Sequence, residues 1–111
     1  NITMNRIAEK VSPSQEREKG KEDLIDIVLS IKDKEALKSF IDDMFTEREV
    51  DDVVQRYLLM DDLYRGKSQR VIERDRSMSL GKITRGCKML KKKDGFMRRF
   101  FSDKYDDFTH I

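Results

Sequence analysis

Lys82, Thr84, Arg85, Lys88 and Lys91 share one face of a helix drawn through residues 80–91, and every one carries a side-chain hydrogen-bond donor. Leu80, Ile83, Cys87 and Leu90 recur at spacings of three or four and mark the other, apolar face. A short helix with donors in front and a flat apolar back is what the major groove of duplex DNA admits. Lys and Arg neutralise phosphates, and donors near a helix start reach phosphates or base edges. Arg70, just upstream, adds a further cation. A merely solvated helix face has the same composition, so charge alone does not decide between the two readings.

The elements that must carry these residues follow from caps and periodicity. Ser68 is placed to cap a first short helix with Val71 and Ile72 as its apolar residues, and Ser79 to cap the donor-bearing helix. The join, Asp75 to Ser79, is too short for a linker and suits a helix-turn-helix. Its turn, Ser77 to Ser79, has no glycine, so a shifted or strained backbone is expected there. Asp94-Gly95 breaks the chain after Lys91-Lys92-Lys93. Phe96, Met97, Phe100, Phe101 and Tyr105 then spell a last aromatic helix reaching about Asp107.

Upstream, Ser12-Pro13 reads as a helix start, with Gly20 placing the stable part near Lys21 and Leu24, Ile27, Val28 and Ile31 as its stripe. A second helix starts at Asp33 or Lys34, with Ala36, Leu37, Phe40, Ile41 and Met44 on one side. Thr46 with Glu49 three residues on is a capping box for a third helix running to about Arg65, where Gly66 ends it. Val50, Val53, Val54, Tyr57 and Leu58, with Met60 and Leu63, are its expected buried side. No strand pattern occurs, and the predicted class is all-α.

The chain has 111 residues, of which 37% are hydrophobic and 41% charged, a thin supply for a self-sufficient core at this size. Pooling two apolar faces in an obligate dimer would solve that. Net charge is only +2, but acids crowd the middle (Asp42, Asp43, Asp51, Asp52, Asp61, Asp62) and bases crowd Arg65 to Arg99. Such local asymmetry is the electrostatic footprint expected of a nucleic-acid binder. Cys87 is the single cysteine, expected as a small buried hydrophobe, and with His110 the single histidine it makes no metal site. There is no nucleophile with a base partner and no phosphate loop, so no enzyme is expected. With no apolar run of membrane-crossing length and no signal-peptide pattern, a reduced cytoplasmic setting is the default expectation. Residues 1–11 are expected to be a mobile segment and 12–111 a single domain.

The run Ile83-Thr84-Arg85-Gly86 followed by Met89-Leu90-Lys91 resembles the recognition helix of the Trp repressor family. Arg65-Gly66-Lys67-Ser68-Gln69-Arg70 resembles the segment leading into that family's helix-turn-helix, and Met44-Phe45-Thr46 followed by Arg56 fits at matching separation. The match is colinear from about Leu24 to about Lys92, with the segment between Gly66 and Ser68 one residue shorter than the family's usual form. The resemblance implies a six-helix chain with its helix-turn-helix at about 68–92, knitted into an intertwined homodimer. It implies a repressor of tryptophan biosynthesis genes that binds double-stranded operator DNA with L-tryptophan as corepressor and no other cofactor.

Carried over residue by residue, Arg56 and Arg85 flank the indole ring and one engages the ligand carboxylate, chemistry that guanidinium groups suit. Gly86 lines the pocket. Thr46 and the backbone at Asp43 and Phe45 match positions that the partner subunit supplies to the ligand's amino group. Met89 stands where the family usually has a hydroxyl that contacts this amine. On the DNA side, Leu80, Gly81 and Lys82 enter the groove first, with Arg70, Thr84, Lys88 and Lys91 beside them. Lys82 replaces a small polar residue. Two alternatives stay open: a regulator of the same fold that works without tryptophan or with another effector, and a helical module whose charged face meets a protein.

Overall fold

A computed structural model describes residues 11–106, and among these every element is helical. Expectations for residues 1–10, for the last helix beyond Asp106 and for His110 lie outside the described residues. The chain divides into two compact units, residues 1–45 and 46–111.

In the first unit, α1 spans Pro13–Ser30 and α2 spans Lys34–Met44. The Gln15 backbone N–H donates to Ser12 Oγ at 3.1 Å while the Ser12 N–H donates to Gln15 Oε1 at 2.9 Å, a reciprocal cap worth about 1 kcal/mol. With Pro13 presetting the first helical φ, α1 starts where Ser12-Pro13 predicts and runs unbroken through Gly20. Asp33 caps α2 by accepting from the Ala36 N–H at 2.8 Å. Leu24, Ile25, Val28 and Leu29 line an apolar groove of about 430 Å³ with Phe40, Met44 and Phe45. Ile25 and Leu29 thus line the groove with the expected Leu24 and Val28, and the expected Ile27 does not. Neither helix has a buried residue.

The second unit holds α3 (Glu47–Tyr64), α4 (Gln69–Arg76), α5 (Leu80–Lys91) and α6 (Phe96–Tyr105). The Thr46–Glu49 capping box starts α3 as its spacing predicts. Gly66, at φ 95, ends that helix in the left-handed region, its N–H donating to the Leu63 carbonyl at 3.0 Å. Leu59, Ile72, Met78 and Ile83 form the core, with Leu63 against it, each fully buried aliphatic contributing about 1.5–3 kcal/mol. Full burial on α3 starts at Leu59; of the expected side Met60 is buried and Val50, Tyr57, Leu58 and Leu63 are half-buried within the single chain. Val53 and Val54 are exposed, and Leu59, Met60 and Asp62 are inside. The reason is tertiary, since α4 and α5 contact α3 and the core residues they bring meet it at Leu59 and Leu63. Phe101 is fully buried among the stacked rings of Tyr57, Tyr64 and Tyr105, whose O–H donates to Asp61 Oδ1 at 2.5 Å.

Asp62 is the one buried charged residue among those described. The Arg76 Nε donates to its Oδ2 at 2.6 Å, and Lys67 Nζ lies 3.6 Å from its Oδ1. The pair ties α3 to the last residue of α4. One residue later Ser77 sits at φ 51, the strained left-handed turn expected where no glycine is available.

Ser77→Gly is expected to stabilise the protein by about 1 kcal/mol in urea unfolding, because the left-handed region costs a non-glycine residue about that much. The Arg76 guanidinium hydrogen bond, opposed by burial, holds the Asp62 carboxyl below the usual aspartate range. Its contribution is therefore full above the unfolded value of ~3.9 and lost as pH falls through the lower folded value. Asp62→Asn is expected to lose about 2 kcal/mol at neutral pH, less than for a fully buried pair because Arg76 keeps some solvent contact. The gap to wild type should narrow below about pH 4. An equal gap at pH 7 and pH 3 in denaturant titrations would contradict this role.

Candidate functional site

Gly86 of α5 packs directly on the Leu59 side chain of α3. A Cβ built there would lie 2.8 Å from Leu59 Cδ2 and 3.2 Å from Leu59 Cγ, so any side chain at this position would force Leu59 to shift. Beside this contact is a cavity of about 240 Å³. Its apolar lining is Leu59, Met60, Met78, Gly86 and Met89; its polar lining is Asp52, Gln55 and Arg56 from α3 and Lys82 and Arg85 from α5.

Four of the ligand residues expected from sequence, Arg56, Arg85, Gly86 and Met89, are thus brought around one cavity. Thr46 caps α3 and does not line it. Asp43 and Phe45 belong to the first unit, at the end of α2 and its C-cap. Sequence reasoning missed Asp52, Gln55, Leu59, Met60 and Met78 as lining residues, and gave Lys82 to DNA alone. A signal existed. Asp52, Gln55, Arg56 and Leu59 stand at i, i+3, i+4 and i+7 on α3, and Lys82, Arg85 and Met89 repeat at steps of three or four on α5, so each set is one helix face, with Met78 added from the turn before α5.

Arginine planes and thioethers can clasp a flat aromatic body, while the cations suit a carboxylate. No group of His, Cys, Asp and Glu among the described residues is arranged to hold a metal ion.

Every residue expected at DNA is exposed: Arg70 at the start of α4, and Leu80, Gly81, Lys82, Thr84, Lys88 and Lys91 on α5. Leu80 departs from the apolar back of the helix, being 56% exposed as the first residue of α5, while Ile83 behind it is fully buried. Cys87 is half-buried rather than buried, and Gln69 Nε2 donates to its Sγ at 3.3 Å. The Ser79 cap accepts from the Lys82 backbone N–H at 3.3 Å, which holds the first turn that carries Gly81 and Lys82. No helix among the described residues is long and apolar enough to cross a membrane.

The two glycines of α5 make a paired test. Nothing lies within 4 Å of a Cβ at Gly81, so Gly81→Ala should gain roughly 0.5–1 kcal/mol in helix stability. Gly86→Ala gains about as much in propensity but must displace the buried Leu59, an overpacking cost of about 1–3 kcal/mol. A net loss of about 1 kcal/mol is expected, and thermal melts that shift both variants upward would contradict the close approach.

A sequence model of the family described as Trp repressor protein matches residues 19–104, most of the chain. No curated protein and no solved structure matches it. The matched span includes α3, α4, α5 and all but the last residue of α6, with the cavity between α3 and α5 and the donor-bearing face of α5. The family is one of transcriptional regulators that bind DNA, not of enzymes. The chain belongs to the Trp repressor protein family.

Proposed function

We propose that this chain is a homodimeric repressor that uses α4 and α5 as a helix-turn-helix and binds operator DNA when L-tryptophan occupies the cavity between α3 and α5. The observation that carries this reading is the placement of Arg56 and Arg85, from two different helices, on one cavity with an apolar floor. A ring held between them ties the angle of α5 to ligand occupancy. Tryptophan then acts by preferring the arrangement of α5 that DNA also prefers, which is the differential affinity any such switch needs. The donor face of α5 supplies the groove contacts, and Arg70 and the lysines supply phosphate contacts.

A second copy is the expected cover for the apolar residues that the chain leaves exposed. Leu24, Ile25, Val28, Leu29, Met44 and Phe45 in the first unit and Val53 and Val54 on α3 are all at least 40% exposed. Two-fold symmetry would then set the paired reading helices one DNA turn, about 34–36 Å, apart, a spacing known for helix-turn-helix dimers in general, this family among them.

Met89 favours a second reading. It lines the cavity with a thioether, which accepts hydrogen bonds only weakly, so a different effector or none remains the alternative within the same fold.

Light scattering and gel retardation test the proposal. The expected outcome is a dimer whose affinity for a DNA duplex selected from a random library rises about tenfold or more with tryptophan, within the usual range of coupling between sites. Arg85→Ala should abolish that rise. Binding should fall with salt at a log–log slope near −0.9 per phosphate contacted. Equal retardation with and without tryptophan selects the second reading, and absence of DNA affinity even at low salt selects a protein partner instead.

A further inference from the structure

The cations that follow Lys91 serve neither the cavity between α3 and α5 nor the groove face of α5. Lys92, Lys93, Arg98 and Arg99 stand against a single acid, Asp94, over residues 92–99. Lys92 is the C-cap of α5, and the Gly95 N–H donates to its carbonyl at 3.1 Å, a turn that starts α6 at once. A Cβ at Gly95 would lie 3.3 Å from both the Lys92 Cβ and its carbonyl oxygen, so the turn is closed tightly. It brings Lys93 to Arg98 and Arg99, and with Asp94 and Ser102 these line a recess of about 380 Å³.

Internal contacts do not account for these three cations. Lys93, Arg98 and Arg99 are exposed, and none takes part in an ion pair within 4.0 Å among the described residues, even with Asp94 in the same recess. Helix stability does not ask for the arginines either. They are the third and fourth residues of α6, near its positive end, where an acid is favoured; the first turn has none, and the Gly95 cap brings no side-chain acceptor. A local choice that works against its own helix points to a role outside the fold. Arginine forks and a lysine point charge suit phosphate oxygens.

The surface is continuous with the donor face of α5 through Lys91 and Lys92, which favours the same nucleic acid over a separate acidic partner. It also sits at the far end of that helix. The 12 residues of α5 put it roughly 18 Å from the end where Leu80, Gly81 and Lys82 enter the groove. Its contacts therefore fall on phosphates flanking those bases and not on the base edges.

We propose that the recess of Lys93, Arg98 and Arg99 is a second DNA contact, a clamp on the phosphate backbone flanking each half-site that adds affinity without reading sequence. It rests on the DNA reading above and extends that reading to a surface outside the helix-turn-helix.

Gel retardation of the full chain with tryptophan present tests it, on duplexes that share one selected operator and carry either about one helical turn of flanking DNA at each end or none. For wild type, the slope of log affinity on log salt is expected to be steeper on the flanked duplex by about two to three per head, near 0.9 for each of three phosphates. The combined variant Lys93→Ala, Arg98→Ala, Arg99→Ala should lose that difference and keep its preference for the operator over a scrambled duplex. Lys93→Arg, Arg98→Lys, Arg99→Lys, which keeps the charge, should retain most of it. Equal wild-type slopes on the two duplexes, or an alanine variant that responds to the flanks as wild type does, overturns the clamp while leaving the DNA reading intact. A wild-type chain with no DNA affinity at low salt overturns both. Far-ultraviolet circular dichroism of each variant separates loss of a contact from loss of the fold, and the wild-type comparison needs no variant.

Discussion

The contact of α3 with α5 at Gly86 sets the terms for everything else in the second unit. Leu59 fills the space that any side chain at residue 86 would occupy, and Leu59 is itself 2% exposed, so it has little room to retreat. Helices drawn this close put the residues on either side of the contact around a shared cavity. Arg56 lies one turn before Leu59 on α3, and Arg85 and Met89 flank Gly86 on α5. Close packing converts one missing Cβ into a binding geometry, because interiors at crystal-like density transmit a displacement of even one methylene.

The second constraint is electrostatic. Asp62 is buried, and a buried carboxylate is tolerated only when paired and hydrogen-bonded. Its partner Arg76 is the last residue of α4, one step before the left-handed Ser77. The ion pair, the strained turn and the Ser79 cap follow one another within four residues, and together they determine where α5 begins. Ile72 and Ile83, fully buried on either side of that turn, supply the apolar part of the same joint. The direction in which the exposed donors of α5 point is therefore decided by interactions behind them rather than by the donors.

The first unit presents a different balance. Two well-capped helices carry seven apolar residues around one groove and bury none of them fully. Local interactions suffice to form such helices, but a surface of this kind is more apolar than a solvated helix pair needs. The proposed dimer would place that surface where its composition makes sense, and would account for a chain whose hydrophobic fraction is 37%.

What could be read directly from the residues was whatever depends on neighbours in sequence. Ser12, Thr46, Ser68 and Ser79 all cap the helices they were expected to cap, since a cap is a bond from residue i to residue i+3 and both partners are written within four letters. Gly66 ends α3, and Arg56, Arg85, Gly86 and Met89 share a cavity as the family resemblance implied. The periodicity of α3 was legible, yet its apolar positions are too many to say which bury. The burial of Leu59, which the periodicity did not single out, was decided by the helices that pack against it. Asp62 and Arg76, fourteen residues apart, and Asp52 lining one cavity with Lys82 and Arg85, belong to the same class. Sequence settled the helices and their ends because those energies are local, whereas burial and the membership of the cavity depend on how distant segments cross, which only the tertiary structure decides.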